Sequence, residues 1–316
     1  MKKISLSINP LYLCNFSCEF CYLTPKQLKD KSTLDLKLLS NLLFEVKNHG
    51  FHVEHVDLYG GEIGLLSEEY LNHLDQILFK HSDPTINIIT NFSRKHSYFL
   101  RDHIDLSVSF DFEIREKMDL VLSNILTTNK NISILMLASK ELIKKNVDEM
   151  IHLLNSVQNI VSVEIKPYST NQSNQFEVTN IEFEEFVKKW IDSSITKKFN
   201  FINSEQIKRS LEKSRNAYSD DHVYITPKGK FSVLEFDDSN HEYFLELNHF
   251  SEYIKWSDDE KNRVSKNKIC KSCEYLGKCL TEHYREVIDL NQSCNGFKGL
   301  LDYYKKSSLQ KELGTA

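Results

Sequence analysis

The sequence lacks three features that mark common classes of protein. Lysine and arginine, 40 residues together, are outnumbered by 45 aspartates and glutamates, and the formal net charge is -5. Proteins that follow a phosphate backbone usually carry a basic excess, so we expect no nucleic-acid partner. No apolar run is long enough to span a bilayer, and the N-terminal residues lack the apolar core of a signal peptide. We therefore expect a cytoplasmic protein without a membrane partner.

Internal repeats and long low-complexity segments are also missing. The chain does have 316 residues with 40% hydrophobic content, which is enough to bury a sizeable core. It also has seven cysteines, and both this odd number and a reducing compartment argue against a disulfide framework. Metal or redox chemistry is therefore the leading explanation for the cysteines.

Short β-branched segments alternate with longer amphipathic segments through the first two-thirds of the chain, which is typical of βα units around a parallel sheet. The predicted strands are Ile4 to Ile8, His55 to Tyr59, Ile86 to Ile89, Leu106 to Phe110, Ile132 to Leu137 and Val161 to Ile165. The predicted helices are Leu36 to Lys47, Glu68 to Phe79, Glu113 to Leu126, Leu142 to Leu154 and Ile181 to Trp190. The α/β fold is thus predicted to be a partial (β/α)6 TIM-like barrel with a lateral mouth, and a doubly wound open sheet is the alternative. In both folds, chemistry belongs at the carboxyl ends of the strands.

The pattern changes from about Lys197. We predict a barrel domain over residues 1-196 and a small C-terminal domain over residues 197-316. In the second domain, Val223 to Ile225 and Phe231 to Phe236 flank a Pro-Lys-Gly-Lys turn, which predicts a β-hairpin. The polar segment Ser169 to Gln175 follows the sixth strand and is expected to be a solvated loop.

Cys14, Cys18 and Cys21 form a C-x3-C-x2-C motif just after the first predicted strand. Three thiolates on one loop can hold three irons of a cubane cluster and leave the fourth iron without a protein ligand. An iron with an open position is a place for chemistry. The alternative is a zinc site completed by a ligand from elsewhere in the fold, since the loop itself contains no histidine or further cysteine.

The position and spacing of this motif, with an aromatic residue before its last cysteine, resemble the radical S-adenosylmethionine (radical SAM) superfamily. The resemblance covers most of the chain. It implies a [4Fe-4S] cluster that binds S-adenosylmethionine and, with an electron from a reductant such as flavodoxin or ferredoxin, releases a 5′-deoxyadenosyl radical. That radical takes a hydrogen atom from the substrate. The resemblance also implies that Phe20 packs on the adenine and that Tyr22 lies beside it through its backbone.

Gly60, Gly61 and Glu62 follow the second predicted strand and resemble the Gly-Gly-Glu element of this family. The resemblance implies that this strand edge and Glu62 receive the ammonium group of the methionine moiety. Glycine makes physical sense there, because the backbone has to approach the ligand closely.

Two further strand ends resemble cofactor-binding segments of the family. Asn91 ends the third strand in a segment similar to Thr-Asn-Gly, with Phe92 in place of the glycine. Ser109 matches the serine of a Ser-x-Asp-Gly run that helps bind the carboxylate or ribose of the cofactor, and Phe112 again replaces the glycine. Arg115 is the candidate for the arginine that binds the cofactor's carboxylate.

Cys270, Cys273, Cys279 and Cys294 form a C-x2-C-x5-C-x14-C pattern, and four thiolates are enough to ligate a cluster fully. The pattern resembles the SPASM and twitch extensions of radical SAM enzymes. It implies one auxiliary [4Fe-4S] cluster, because other cysteines of a full SPASM domain are missing and the nearby His283 is interpreted as a surface histidine. An all-thiolate zinc knuckle is the alternative.

The two motifs together use all seven cysteines, so none is left as a catalytic thiol. The resemblance therefore implies an oxidative radical SAM enzyme that matures a ribosomally made peptide by cross-linking or a related modification. Only thirteen residues precede Cys14, so we expect leader recognition to need a separate partner or the C-terminal domain. The alternatives are a radical SAM dehydrogenase or rearrangement enzyme acting on a small biosynthetic intermediate, and a non-enzymatic zinc-binding module. The sequence identifies no catalytic or substrate-binding side chain.

Overall fold

The computed structural model of the chain describes residues 1–167, 178–218, 220–237, 242–280, 294 and 297–312. The polar segment Ser169 to Gln175 and His283 lie outside these described residues. The strands are β1 (Lys2–Ile8), β2 (Phe51–Leu58), β3 (Thr85–Thr90), β4 (Ile104–Ser109), β5 (Ile132–Leu137), β6 (Ile160–Lys166), β7 (Asn200–Phe201), β8 (His222–Ile225), β9 (Phe231–Asp237) and β10 (Glu242–Leu247). The helices are α1 (Leu36–Asn48), α2 (Glu68–His81), α3 (Met118–Leu126), α4 (Val147–Asn155), α5 (Asn180–Asp192), α6 (Ile202–Leu211), α7 (Phe250–Lys266), α8 (Lys268–Lys271) and α9 (Lys298–Glu312).

The strands form one ten-stranded sheet in the order β10-β9-β8-β1-β2-β3-β4-β5-β6-β7. Strands β1 to β6 are parallel and lie side by side in chain order, which confirms the six predicted βα units. A doubly wound sheet reverses its strand order at a switch point, and these six strands show no reversal. The two outermost strands of the described sheet, β10 and β7, do not pair with each other. The fold is therefore an open, partial barrel, as the sequence predicted.

The C-terminal strands extend this same sheet. Strand β8 pairs in parallel with β1, and β8 and β9 form the predicted antiparallel hairpin. The hairpin turn contains Gly229 at a φ of 71°, a left-handed conformation that favours glycine. The predicted division into residues 1-196 and 197-316 stays a prediction.

Two helices begin later than the sequence predicted. Helix α3 begins after Lys117 rather than at Glu113, because Lys117 takes a left-handed conformation with a φ of 55°. Helix α4 begins after Asn146 rather than at Leu142, because the Asn146 side chain caps it by accepting hydrogen bonds from two backbone N–H groups. None of the helices in the described part of the chain combines the length and apolarity of a membrane span.

Strand β1 carries one apolar face and one polar face. On β1, Ile4, Leu6 and Ile8 are fully buried, and Ser5 and Ser7 alternate with them along the strand. A parallel sheet that is covered by helices on both faces has apolar residues on both. The alternation therefore indicates that no layer of the described helices packs against the second face of β1.

Candidate active site

A cavity of about 520 Å³ is lined by residues from the polar face of the sheet and by the loops that follow the carboxyl ends of its strands. Its volume falls within the range of about 300–1,000 Å³ that is common for small-molecule sites. The residues with a predicted role that line it are Cys14, Cys18, Phe20, Cys21, Tyr22, Gly60, Gly61, Asn91, Ser109 and Arg115. Glu62 is the predicted cofactor residue that is not among the described lining residues.

The first cysteine loop brings three thiols together at this cavity. The Cys21 backbone N–H donates to the Cys18 carbonyl at 3.0 Å, and the Ser17 N–H donates to Glu116 Oε1 at 2.8 Å. Burial raises the pKa of Cys14 and Cys18, and it raises the pKa of Cys21 to about 11, with a further contribution from the two neighbouring thiols. Three thiolates in such a place repel one another and are poorly solvated, so a cationic metal core would satisfy their charge.

Arg115 lies inside the site. Its Nε and Nη2 donate to Asp111 Oδ2 at 2.8 and 2.5 Å, and its Nη1 lies 3.7 Å from Cys18 Sγ. The guanidinium carbon also lies 5.1 Å from the centre of the Phe20 ring. The arginine is thus held between a buried carboxylate and the cysteine loop, with its side chain only 16% exposed. This position suits the anion-binding role predicted for it, because a guanidinium stays charged when buried.

Gly60 and Gly61 are needed by the chain's own backbone. A Cβ on Gly60 would lie 2.4 Å from the Leu11 carbonyl oxygen, and one on Gly61 would lie 2.1 Å from that of Leu13. The Gly61 N–H also donates to the Leu11 carbonyl at 3.0 Å. The sequence prediction attributed these glycines to close approach of a ligand. The structure shows that they admit the segment that leads into Cys14.

Glu62 is fully buried and organises two strand ends. Its Oε1 accepts from the Gly64 N–H at 2.8 Å and from Thr90 Oγ1 at 2.5 Å, and its Oε2 accepts from the Asn91 N–H at 2.7 Å. Burial raises the pKa of Glu62, although these hydrogen bonds oppose the effect. The carboxylate therefore ties β2 to β3, and its predicted contact with an ammonium group stays a prediction.

The segment that follows β3 reaches the cysteine loop. Asn91 Nδ2 donates to Asn15 Oδ1 at 3.0 Å and lies 3.8 Å from Cys14 Sγ. Phe92 and Phe112, which stand where the resembling motifs have glycine, have φ values of 51° and 54°. A side chain at such a φ costs about 1–2 kcal/mol. Both rings are buried, and this burial offsets the strain, so the glycine-like backbone is kept without glycine.

The two aromatic residues of the motif face different neighbours. Phe20 is 5% exposed and lies under Arg115. The Tyr22 ring packs against Tyr243 and Phe244 of β10, with ring centres 5.1 and 5.6 Å apart. Tyr22 Oη is buried and has no hydrogen-bond partner among the described residues. Tyr22 thus joins the cysteine loop to the C-terminal strands, and its predicted backbone contact with adenine stays a prediction.

The second cysteine group lies around α8. Cys270 and Cys279 are buried, and Asn267 caps α8 by accepting from the Cys270 N–H at 3.1 Å. Burial, with smaller contributions from the thiols of Cys294, Cys279 and Cys273, raises the pKa of Cys270 to about 11. The four sulfur atoms therefore lie close enough together to affect the ionisation of Cys270.

No set of three or more His, Cys, Asp or Glu side chains in the described ranges forms a group that could hold a single metal ion. The iron ligation predicted for Cys14, Cys18, Cys21, Cys270, Cys273, Cys279 and Cys294 therefore stays a prediction.

One segment touches both the cavity and the second cysteine group. Arg215 lines the cavity, and its Nε and Nη2 donate to the carbonyls of Cys279 and Leu280 at 2.9 and 3.1 Å. Its neighbour Asn216 lines the cavity too, and the Ala217 N–H donates to the Gly277 carbonyl at 2.8 Å. The short segment from Arg215 to Ala217 therefore connects the second cysteine group to the cavity wall.

Sequence reasoning missed several cavity residues on the polar face. Ser7, Asp57 and His222 line the cavity from β1, β2 and β8, and Lys166 lines it from the end of β6. The available signal was the alternation of polar and apolar residues within parallel strands, which marks a polar inner face. Nothing in the local sequence of His222 shows that β8 lies beside β1.

Comparison with solved structures shows that the fold is that of radical SAM enzymes. Native anSMEcpe with bound AdoMet and Cp18Cys peptide has a TM-score of 0.67 at 13% identity, and the match covers 99% of this chain and 100% of that chain. SuiB of Streptococcus suis bound to S-adenosylmethionine has a TM-score of 0.63 at 18% identity, covering 91% of this chain and 74% of SuiB. SuiB bound to its precursor peptide SuiA has a TM-score of 0.61 at 18% identity, covering 91% and 73%. No protein-family model matches the sequence, and no curated protein is significantly similar to it.

Proposed function

We propose that this protein is a radical SAM enzyme that oxidatively modifies a ribosomally made peptide. The carrying observation is that Cys14, Cys18 and Cys21 line one cavity together with Arg115 and Ser109. The strand ends thus bring these three cysteines, Arg115 and Ser109 to one place, in a fold that radical SAM enzymes share.

The residues present fit a cluster and S-adenosylmethionine. The three thiols supply the donor set of a site-differentiated [4Fe-4S] cluster, which when reduced would cleave S-adenosylmethionine to a 5′-deoxyadenosyl radical. Arg115 and Ser109 would bind the carboxylate or ribose of the cofactor, and Phe20 would pack on its adenine. The buried Glu62 and the two glycines would keep the cysteine loop in register with the ends of β2 and β3.

The peptide class is supported by the solved structures that share the fold, since anSMEcpe was solved with the Cp18Cys peptide and SuiB with the precursor peptide SuiA. An oxidative outcome is supported by the second group of four cysteines, which has enough ligands to hold an electron-accepting auxiliary cluster. We place the protein in the cytoplasm, where a flavodoxin or ferredoxin can supply the electron.

The test is an anaerobic assay of the iron-reconstituted protein with a strong reductant, S-adenosylmethionine and the peptides encoded beside its gene. We expect 5′-deoxyadenosine and a peptide that has lost hydrogen, measured by mass spectrometry. The matched control is the same protein loaded with zinc, which should form neither. Intact S-adenosylmethionine in the iron-loaded sample would contradict the radical chemistry. Cleavage with no neighbouring peptide changed would contradict the peptide substrate.

A further inference from the structure

Hydrogen-bonded side chains extend across the polar face of the sheet. Asn87 Nδ2 donates to Asp57 Oδ1 at 2.7 Å, and Ser107 Oγ donates to Asn87 Oδ1 at 2.9 Å. On the adjoining strands, His222 Nε2 and Ser7 Oγ lie 2.7 Å apart. Buried polar atoms normally have such partners. A polar atom of this face that lines the cavity and has no hydrogen-bond partner is therefore a candidate contact for a ligand.

Asp57 provides such an atom. Its Oδ1 accepts hydrogen bonds from Asn87 and from His55 Nε2, the latter at 3.3 Å, whereas its Oδ2 accepts none from the residues that the structure describes. The side chain lines the cavity and is 21% exposed. Burial alone would raise the pKa of Asp57, but the hydrogen bonds from His55 and Asn87 hold it below its ordinary value. The carboxylate is therefore ionised at neutral pH, with one oxygen open to the cavity.

His55 connects this carboxylate to the outside of the protein. It lies two residues before Asp57 on the same face of β2, nearer the amino end of the strand. Its Nδ1 lies 2.7 Å from Thr85 Oγ1, and its side chain is 33% exposed. Asp57 and His55 thus extend from the cavity towards solvent at the amino ends of the strands. This is the end of the sheet opposite the cysteine loop.

We propose that Asp57 is the base that takes a proton from the substrate, and that His55 positions Asp57 through the hydrogen bond that it donates to Oδ1. This role presupposes the oxidative function proposed above. The base has to lie in the cavity because the radical is formed there, and among the described lining residues Asp57 has the open carboxylate oxygen.

The proposed reaction removes two electrons and two protons from the substrate. One substrate C–H bond breaks, and its hydrogen atom moves to the 5′-deoxyadenosyl radical to give 5′-deoxyadenosine. The substrate radical would then give up one electron, and an iron–sulfur cluster held by the cysteines would accept it. An N–H, O–H or S–H bond of the substrate breaks, its proton moves to Asp57 Oδ2, and its electron pair forms the new bond. The substrate has then lost two hydrogens.

Other cavity residues are less suited to accept a proton. Lys166 forms an ion pair with Glu164 at 3.0 Å, and Arg215 stays protonated at all physiological pH values. Burial raises the pKa of Tyr59 well above its ordinary value, which keeps the phenol protonated. His222 is the remaining rival, and it lies against Ser7.

The central experiment compares Asp57→Asn with wild type and with Asp119→Asn, an exposed aspartate at the start of α3. We expect Asp57→Asn to keep forming 5′-deoxyadenosine while kcat for the oxidised peptide falls about 100-fold, the usual contribution of a general base. KM should change little, because the lost group acts on the reacting proton. Asp57→Glu should restore part of kcat, and Asp119→Asn should match wild type.

Several results would contradict the role of Asp57 as the base. An unchanged kcat in Asp57→Asn, or a rise in KM alone, would overturn the role of Asp57 as the base. Loss of 5′-deoxyadenosine in a folded Asp57→Asn protein would also overturn it, since Asp57 would then serve cofactor binding. A large loss of kcat in His222→Gln with none in Asp57→Asn would assign the base to His222. If wild type forms no 5′-deoxyadenosine, the proposed function itself fails.

The His55 link has a readout that needs no turnover. The hydrogen bond from Asp57 raises the pKa of His55, with smaller contributions from the charges of Asp105 and Glu54 and an opposing effect of burial. We expect the His55 pKa, measured by NMR titration, to fall in Asp57→Asn and to stay unchanged in Asp119→Asn. His55→Gln should lower kcat less than Asp57→Asn does and should shift the pH profile of product formation. An unchanged pH profile and kcat in His55→Gln would overturn the positioning role of His55, including when Asp57→Asn does not fold.

Discussion

The two cysteine groups differ in what surrounds them. Cys14, Cys18 and Cys21 lie on a loop at the carboxyl end of β1 and line the cavity, with Arg115 and Asn91 beside them. The four cysteines around α8 are not among the described residues that line this cavity. Three sulfur ligands beside a cavity leave room for a small molecule at a metal, whereas four ligands away from it suit electron transfer. We therefore expect the first group to support chemistry on a bound cofactor and the second to receive an electron.

An arginine also contacts each group, and these two arginines, Arg115 and Arg215, bind different partners. Arg115 pairs with the buried carboxylate of Asp111, whereas Arg215 donates to two backbone carbonyls. A buried charge pair is costly to break, because the remaining partner keeps an unpaired charge. Neutral carbonyls that lose a donor impose a smaller cost. The comparison therefore predicts different responses to equivalent substitutions.

The largest expected effect separates the two groups by function. Cys18→Ala should abolish formation of 5′-deoxyadenosine, a loss beyond the roughly 10–100-fold that removal of an outer partner causes at a metal site. Cys273→Ala should keep 5′-deoxyadenosine formation but lose the oxidised peptide. Iron analysis should show a loss of about four irons in each variant, since each motif is predicted to hold one cubane. Equal loss of S-adenosylmethionine cleavage in Cys18→Ala and Cys273→Ala would contradict the different functions expected of the two cysteine groups.

The next effect concerns stability at the first group. Arg115→Gln should lower the free energy of unfolding by about 3–5 kcal/mol, because Asp111 is 1% exposed and would keep an unpaired charge. Urea unfolding measures this, and adding Asp111→Asn should recover part of the loss. Arg209→Gln, at an exposed position, is the control and should change stability by no more than about 0.5 kcal/mol. A similar loss of stability in Arg115→Gln and Arg209→Gln would contradict a special role for the buried Arg115–Asp111 pair.

A smaller effect is expected at the second group. Arg215→Gln should lower the free energy of unfolding by about 2 kcal/mol, because hydrogen bonds from a charged donor contribute about 1.5–3 kcal/mol. With iron loaded, it should also lower the reduction potential of the auxiliary cluster, measured by EPR-monitored titration, because a nearby positive charge favours the reduced state. Arg215→Lys keeps the charge and should keep most of the potential. An unchanged potential in Arg215→Gln would show that the arginine acts on the fold alone.

The smallest effect tests how the C-terminal residues are joined to β1. Asp220 Oδ2 accepts from Lys2 Nζ and from Lys261 Nζ, each at 2.7 Å, and these bonds outweigh burial to lower the pKa of Asp220 from 3.8 to about 2. A lowered pKa in the folded state contributes stability above the unfolded pKa, and this stability is lost as the pH falls through about 2. After solvent screening we expect about 1 kcal/mol. The measurement is the free energy of unfolding of wild type and Asp220→Asn at pH values above and below this window. The same pH dependence in both proteins would contradict a stabilising role of the Asp220 contacts.

Much of the fold was predictable because its signals are local. Strand β5 runs from Ile132 to Leu137, as predicted, and the other predicted strands differ from the structure mainly at their ends. The errors lie where one residue redirects the backbone, as Lys117 does before α3. Phe92 and Phe112 show the converse case, since their buried rings maintain a backbone conformation that the sequence pattern would assign to glycine.

The sequence by itself determined the spacing of the two cysteine motifs, the βα rhythm and the Gly-Gly-Glu turn, because these depend on residues close together in the chain. Only the tertiary structure decided that Arg115 lies buried beside Cys18, that the Glu62 carboxylate ties β2 to β3, and that the two glycines admit the chain's own loop. It also brought His222 next to Ser7, although 215 positions separate them. The physical reason is that side-chain periodicity is set by local backbone geometry, whereas the pairing of distant strands is selected by packing of the whole chain.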